Sequence, residues 1–297
     1  MANGSKFLRT SLCLPSSSSK YNSIALNLYY LPKQLYPSNY LKNVASSLLI
    51  KLCFIYLSDS DLVMIIKRKE SSMVYNKHKG VLVFMILYTV LFVFDGIRVF
   101  DAPLPSSLTT YLVYTIMFLY GCFLFKSELL KKWEEVRSSK RKFFLGVLKG
   151  WLLLFLVTIF FGLLSAILRQ VLGLSEQGLN EANIQSAFKE QPLLIAVFAC
   201  IIGPLVEELF FRQILLHCLQ RHLPSWLSIC VVGFVFALTH MHSLSLSEWV
   251  SAVGYLGGGV ALSIIYVNEK GNIYYPLMVH VLGNILSFIV LVIGSVQ

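Results

Sequence analysis

Six side chains able to ionise or to anchor a polar atom stand inside apolar runs in the C-terminal third of the chain. Glu207, Glu208 and Arg212 lie in "IIGPLVEELFFRQIL", His240 closes the next apolar run, and His280 and Asn284 lie in the last. An ionised side chain near the centre of a bilayer costs roughly 3 kcal/mol on insertion scales, so such residues persist where they are paired or functional. Residues four apart share a helix face, which couples Glu208 to Arg212, Phe236 to His240 and His280 to Asn284. At a rise of about 1.5 Å per residue, Glu207 sits roughly 15 Å, His240 roughly 20 Å and Asn284 roughly 14 Å from the cytoplasmic end of its helix. Three polar helix faces at matching depth predict one buried polar cavity.

Glu207 and Glu208 are neighbours and point about 100° apart on a helix, so they serve different partners. Arg212, one turn along, neutralises Glu208 in a structural pair and leaves Glu207 for chemistry. A carboxylate beside a histidine in a low-dielectric cavity suits a general base that takes a proton from water. His280 and Asn284 are placed to donate hydrogen bonds to the oxyanion of a tetrahedral intermediate. Together the four form a hydrolytic constellation. The same groups, Glu207, His240 and His280, also make a two-histidine, one-carboxylate set that would hold Zn²⁺ with an open position. Both readings, metal-free and zinc-bound, remain open here, although the local HExxH signature is missing. No GxSxG elbow and no mid-membrane aspartate pair occurs, which disfavours serine and aspartyl chemistry. His242 falls at a helix end and reads as interfacial; His217 and His222 read as solvated near a cytoplasmic turn. "GYLGGG" has Gly254 and Gly258 in GxxxG spacing, expected to let its helix approach a neighbour closely.

The elements that must position these groups are membrane helices. The 297 residues are 56% hydrophobic and 13% charged, with a mean hydropathy of +0.70, more apolar surface than a soluble domain keeps from water. The fold class expected is all-α, a polytopic transmembrane bundle of about seven spanning helices: Gly80 to Phe94, Leu108 to Phe125, Phe143 to Leu168, Leu193 to about His217, Trp226 to about Met241, Trp249 to Val267 and Tyr275 to Ile293. Basic residues before the first run and between the second and third place both flanks in the cytoplasm, and the acidic segment Arg169 to Gln191 outside. The net charge of +10 forms no basic stripe with interleaved aromatics, so no nucleic-acid partner is expected. The cysteines show no CxxC pair and read as small hydrophobes.

Residues 1–72 differ from the rest. "LPSSSSKYNS" is of low complexity and no Asp or Glu precedes Asp59, as in an organelle transit peptide; the other reading is a poorly ordered extension, or translated sequence upstream of a start at Met64 or Met73. The run Val44 to Leu57, short and interrupted by Lys51, reads as a weak spanning candidate or an interfacial helix. The domain division expected is 1–72 as extension, 73–191 as N-terminal membrane helices and 192–293 as catalytic core.

The motifs "EELFFR", "FALTH" and "HVLGN" have the forms EExxxR, FxxxH and HxxxN. In that order they resemble the CPBP family of intramembrane proteases, the CAAX protease and bacteriocin-processing group also called the Abi family. The resemblance covers about residues 192 to 293. It implies peptide-bond hydrolysis within the membrane: removal of the last three residues from prenylated CAAX proteins in eukaryotic members, bacteriocin maturation or self-immunity in bacterial ones. Carried over, Glu207 and His240 activate the water, His280 and Asn284 stabilise the oxyanion, and Glu208 and Arg212 support them. The expected partners are membrane lipid and a peptide or lipidated protein substrate. The expected location is the bacterial plasma membrane, or a plastid membrane if the leader is a transit peptide. Two other readings stand beside the protease: a non-catalytic immunity or scaffold protein that binds a peptide in the same cavity, and a transporter with a carboxylate proton relay, which the lack of an internal repeat disfavours.

Overall fold

A computed structural model of the chain describes residues 72–93, 106–175 and 178–295. The leader, all but its last residue, and the run Val44 to Leu57 lie outside the described residues. All regular structure among the described residues is helical. The helices are α1 (Ser72–Tyr88, extended by a π-helical turn Thr89–Val93), α2 (Ser106–Leu124), α3 (Lys126–Ser138), α4 (Lys140–Val171), α5 (Leu179–Glu190), α6 (Pro192–Leu219), α7 (Ser225–Thr239), α8 (Leu246–Asn268) and α9 (Tyr274–Ser295).

Each of the seven apolar runs forms a helix, but not every one is long enough to span. By length and composition α4, α6, α8 and α9 are able to cross a bilayer, and α2 with α3 would make a fifth span although they meet at a 76° bend. Helix α7 has 15 residues and rises about 22 Å, short of the hydrocarbon thickness of ~30 Å. Among the described residues, four helices, or five with the bent pair, meet the length and composition of a span, against the expected count of about seven, while the all-α membrane architecture stands. Two polar helices escaped the sequence reading: α3, in the basic segment after α2, and α5, in the acidic segment before α6. Neither is apolar enough to register as a hydrophobic run.

Packing follows from side-chain size. Phe84 and Tyr88 of α1, Phe210 and Phe211 of α6 and Phe236 of α7 are buried together in an aromatic core, with Tyr88 stacked on Phe210 at 3.9 Å between centroids. On α4, Gly146 and Gly150 lie one turn apart against Tyr275 and Val279 of α9, where an added Cβ would come within 2.4 and 3.1 Å of those side chains. The rest of α4 presents Phe144, Leu148, Leu152, Leu156, Phe160 and Leu163 outward, an apolar face suited to lipid. Helix α3 is tied to the bundle by the Lys77–Glu128 ion pair and by Asn272 and Tyr274, which donate to the carbonyls of Lys132 and Leu129.

The glycine run on α8 behaves differently from its spacing. A Cβ at Gly254 or Gly258 would meet nothing within 4 Å, whereas one at Gly259 would sit 2.9 Å from the Gly233 Cα of α7 and one at Gly257 2.9 Å from Phe161 of α4. The close approach rests on Gly257 and Gly259, two apart and facing different neighbours. Gly254 and Gly258 line the central cavity. Helical spacing identifies residues that share a face but not what that face meets.

Candidate active site

Glu207 and Glu208 sit on α6 between two π-helical segments, Phe198–Ile202 and Leu209–Leu216. The first has a local cause in "GP". Pro204 has no N–H to donate, and the Gly203 N–H bonds to the Phe198 carbonyl five residues back. The Ala199 carbonyl thus loses its usual donor at Gly203, and the Asn284 amide takes the place at 2.8 Å. A π-turn of this kind inside an α-helix often accompanies a functional site. The sequence signal was present four residues ahead of the glutamate pair, yet the destination of the freed carbonyl depends on α9.

The two glutamates diverge as their adjacency predicts. Glu208 is fully buried, and its Oε1 accepts from Arg212 Nη1 at 3.0 Å, the expected pair. Arg212, also fully buried, donates through Nη2 to the Gly259 carbonyl at 3.1 Å. Its guanidinium carbon lies 5.1 Å from the Phe236 ring centroid, a cation–π contact. Glu208 has a second partner that spacing did not reveal: His280 Nδ1 lies 2.9 Å from the same Oε1. Its role is therefore wider than neutralising Arg212, since it also fixes the imidazole of His280 by one ring nitrogen. Glu208 Oε2 and Arg212 Nε are buried without a protein partner.

Glu207 faces a cavity of about 1380 Å³ that His240, His280 and Asn284 also line. Glu207 Oε2 lies 3.8 Å from His280 Nε2, longer than a hydrogen bond. His240 Nδ1 lies 2.8 Å from the Phe236 carbonyl one turn back, so that nitrogen carries the proton and Nε2 is left as an acceptor. The His240 ring contacts Phe236 (4.6 Å between centroids, tilted) and stacks on Tyr255 of α8 (4.2 Å, 20° from parallel). All four residues read from the sequence as chemistry-bearing thus share one cavity, and Glu208 and Arg212 stand behind it. His242 lines the same cavity; its N–H donates to Glu248 Oε2 and its ring lies 3.4 Å from Asn180 Oδ1.

Among the described residues no three His, Cys, Asp or Glu side chains converge as a ready-made ligand set. The Nδ1 atoms of His240 and His280 are held by a backbone carbonyl and a carboxylate, an arrangement equally compatible with a metal-free base and with a metal-binding imidazole.

The geometry defines a helical integral membrane protein with a buried Glu–His–His–Asn cavity. Residues 189–286 match the family model described as "Type II CAAX prenyl endopeptidase Rce1-like", and the three motifs that resemble the CPBP family all fall within that stretch. Among curated proteins, the chain is 28% identical over 156 residues to the membrane-embedded CAAX protease MroQ of Staphylococcus aureus (strain USA300), covering 50% of this chain and 59% of that protein. It is 24% identical over 130 residues to YdiL of Bacillus subtilis (strain 168), covering 44% and 49%. The chain spans about half the length of these curated relatives. No solved structure matches significantly.

Proposed function

We propose that this chain is an intramembrane endopeptidase in which Glu207 and His240 activate water against a peptide bond. The observation that carries the reading is the cavity shared by Glu207, His240, His280 and Asn284, with Glu207 turned into it while its neighbour Glu208 is committed elsewhere. Water held by the Glu207 carboxylate and His240 Nε2 gives up a proton as its oxygen bonds to the scissile carbonyl carbon. The carbonyl π electrons move onto oxygen, and the resulting oxyanion is stabilised by the free Asn284 N–H and by His280 Nε2 when the ring carries a proton there. Collapse of the intermediate breaks the C–N bond, and the proton taken from water passes to the leaving amine. A donor aimed at such an oxyanion contributes about 3 kcal/mol to the barrier reduction.

The substrate class proposed is a lipidated or membrane-associated peptide. Tyr88, Phe92, Tyr111, Tyr114, Trp151 and Phe155 line the same cavity, aromatic surface that suits an apolar chain or side chain beside the reacting bond. The bacterial relatives favour a bacterial plasma membrane over a plastid one, and within it CAAX-type processing or bacteriocin maturation or self-immunity. The test is cleavage of a fluorogenic farnesylated CAAX-type peptide, and of an unlipidated one, by the purified full chain in lipid nanodiscs. Glu207→Gln and His240→Ala should abolish cleavage in protein that remains folded. Normal turnover by either variant would sink the assignment, and protection of cells from a bacteriocin that survives Glu207→Gln would point to peptide binding without catalysis.

A further inference from the structure

His240 ends α7, the shortest of the apolar C-terminal helices. It follows the last helical residue, Thr239, and its backbone has φ −95° and ψ 2°, outside the helix. A side chain there is not locked by a following turn. What holds its ring is the tilted contact with Phe236, the Nδ1 bond to the Phe236 carbonyl and the stack with Tyr255. The Tyr255 ring is itself fixed at its far end: its hydroxyl donates to Glu181 Oε1 at 2.8 Å and accepts from Asn180 Nδ2 at 2.7 Å. Both partners sit in the first turn of α5, which has no fully buried residue yet contributes Asn180, Glu181, Ile184 and Ala187 to the cavity wall.

The same turn of α5 is tied down again by Glu248 of α8. Its Oε1 accepts from the Leu179 N–H at 2.7 Å while its Oε2 accepts from the His242 N–H at 2.8 Å. One carboxylate thus links the start of the covering helix to the loop immediately after His240. Gly254 and Gly258 line the cavity on either side of Tyr255, and the tyrosine ring packs against the aromatic core. Its hydroxyl is held by α5.

We infer that Tyr255 is a positioning residue for His240, and that Asn180 and Glu181 of α5 hold Tyr255 in place, making the covering helix part of the catalytic apparatus. The stack fixes the plane of the imidazole and so the direction of Nε2 toward the cavity; the two hydrogen bonds fix the plane of the tyrosine. Displacement of α5 would release the tyrosine and let the imidazole turn. This inference rests on the proteolytic reading for its kinetic consequence but not for its geometry, and the experiment has an arm for each.

Full-length chain in nanodiscs is compared with Tyr255→Leu, Tyr255→Phe, Glu181→Gln and Asn180→Ala. The first readout is modification of His240 by diethyl pyrocarbonate, followed by mass spectrometry of the peptide that contains it. Tyr255→Leu should raise the rate at least threefold by uncovering one ring face. Tyr255→Phe, which keeps the stack and loses the tether, should raise it by less, and Glu181→Gln and Asn180→Ala should resemble Tyr255→Phe. In the second readout, cleavage of the farnesylated peptide, kcat should fall at least tenfold in Tyr255→Leu with KM changed less than twofold. Combining Tyr255→Phe with Asn180→Ala should add nothing to either single change. An unchanged His240 modification rate in Tyr255→Leu overturns the inference, as does a loss of activity that merely tracks the folded fraction. If the wild-type chain cleaves neither peptide, the proteolytic reading fails while the modification arm still decides the positioning of His240.

Discussion

Glu207 and Glu208 are adjacent and chemically identical, and the structure predicts opposite consequences for the same isosteric change at each. Glu208→Gln leaves Arg212 fully buried beside a neutral amide in place of the carboxylate at 3.0 Å, and leaves His280 Nδ1 with an uncharged acceptor. Breaking a buried pair by removing one partner costs about 3–5 kcal/mol. The Gly259 carbonyl and the Phe236 ring remain to the guanidinium and hold the loss toward the lower end of that range. Glu207→Gln removes a carboxylate on a cavity wall that lies 3.8 Å from His280 Nε2, so its stability cost should be about 1 kcal/mol or less. Its catalytic cost should be large, since a positioned general base contributes about 10²- to 10⁴-fold, or ~3–5 kcal/mol of barrier. The assay pairs denaturant titration of the purified variants in micelles with initial rates on the farnesylated peptide, normalised to folded protein. Equal loss of stability in both variants, or a Glu207→Gln enzyme within tenfold of wild type, would refute the division of labour between the two residues.

Other expected outcomes follow from single contacts. Gly259→Val places side-chain atoms against Gly233 and Phe236 and should cost about 1–3 kcal/mol of stability, as overpacking does, whereas Gly254→Ala, with open space around its Cβ, should leave the thermal midpoint unchanged. Asn284→Ala should lower kcat about 10²-fold or more with little change in KM if its second N–H serves the oxyanion; a matching rise in KM would instead mean that it binds ground-state substrate. Elemental analysis of active protein, with rates measured after dialysis against a chelator, should find cleavage undiminished without stoichiometric zinc. Loss of activity restored by added Zn²⁺ would show that Glu207, His240 and His280 rearrange into a ligand set.

The sequence alone determined the features set by a single helix. Apolar length marked the seven helical runs. The four-residue repeat paired Glu208 with Arg212 and aligned His280 with Asn284, because a rise of about 1.5 Å and a turn of about 100° per residue fix those relations whatever the surroundings. Common depth along the helices brought Glu207, His240, His280 and Asn284 to one level, and they do line one cavity. Tertiary structure decided what each helix face meets, since that depends on how neighbouring helices are rotated and how closely they approach. Thus His280 finds Glu208 from 72 residues away, the Asn284 amide finds the carbonyl freed at Ala199 by "GP", and Gly257 and Gly259 rather than Gly254 and Gly258 carry the close packing. The polar helix α5 gave no hydrophobic signal, and Tyr255 carried no motif spacing. Their place beside His240 arises only where α5, α7 and α8 come together.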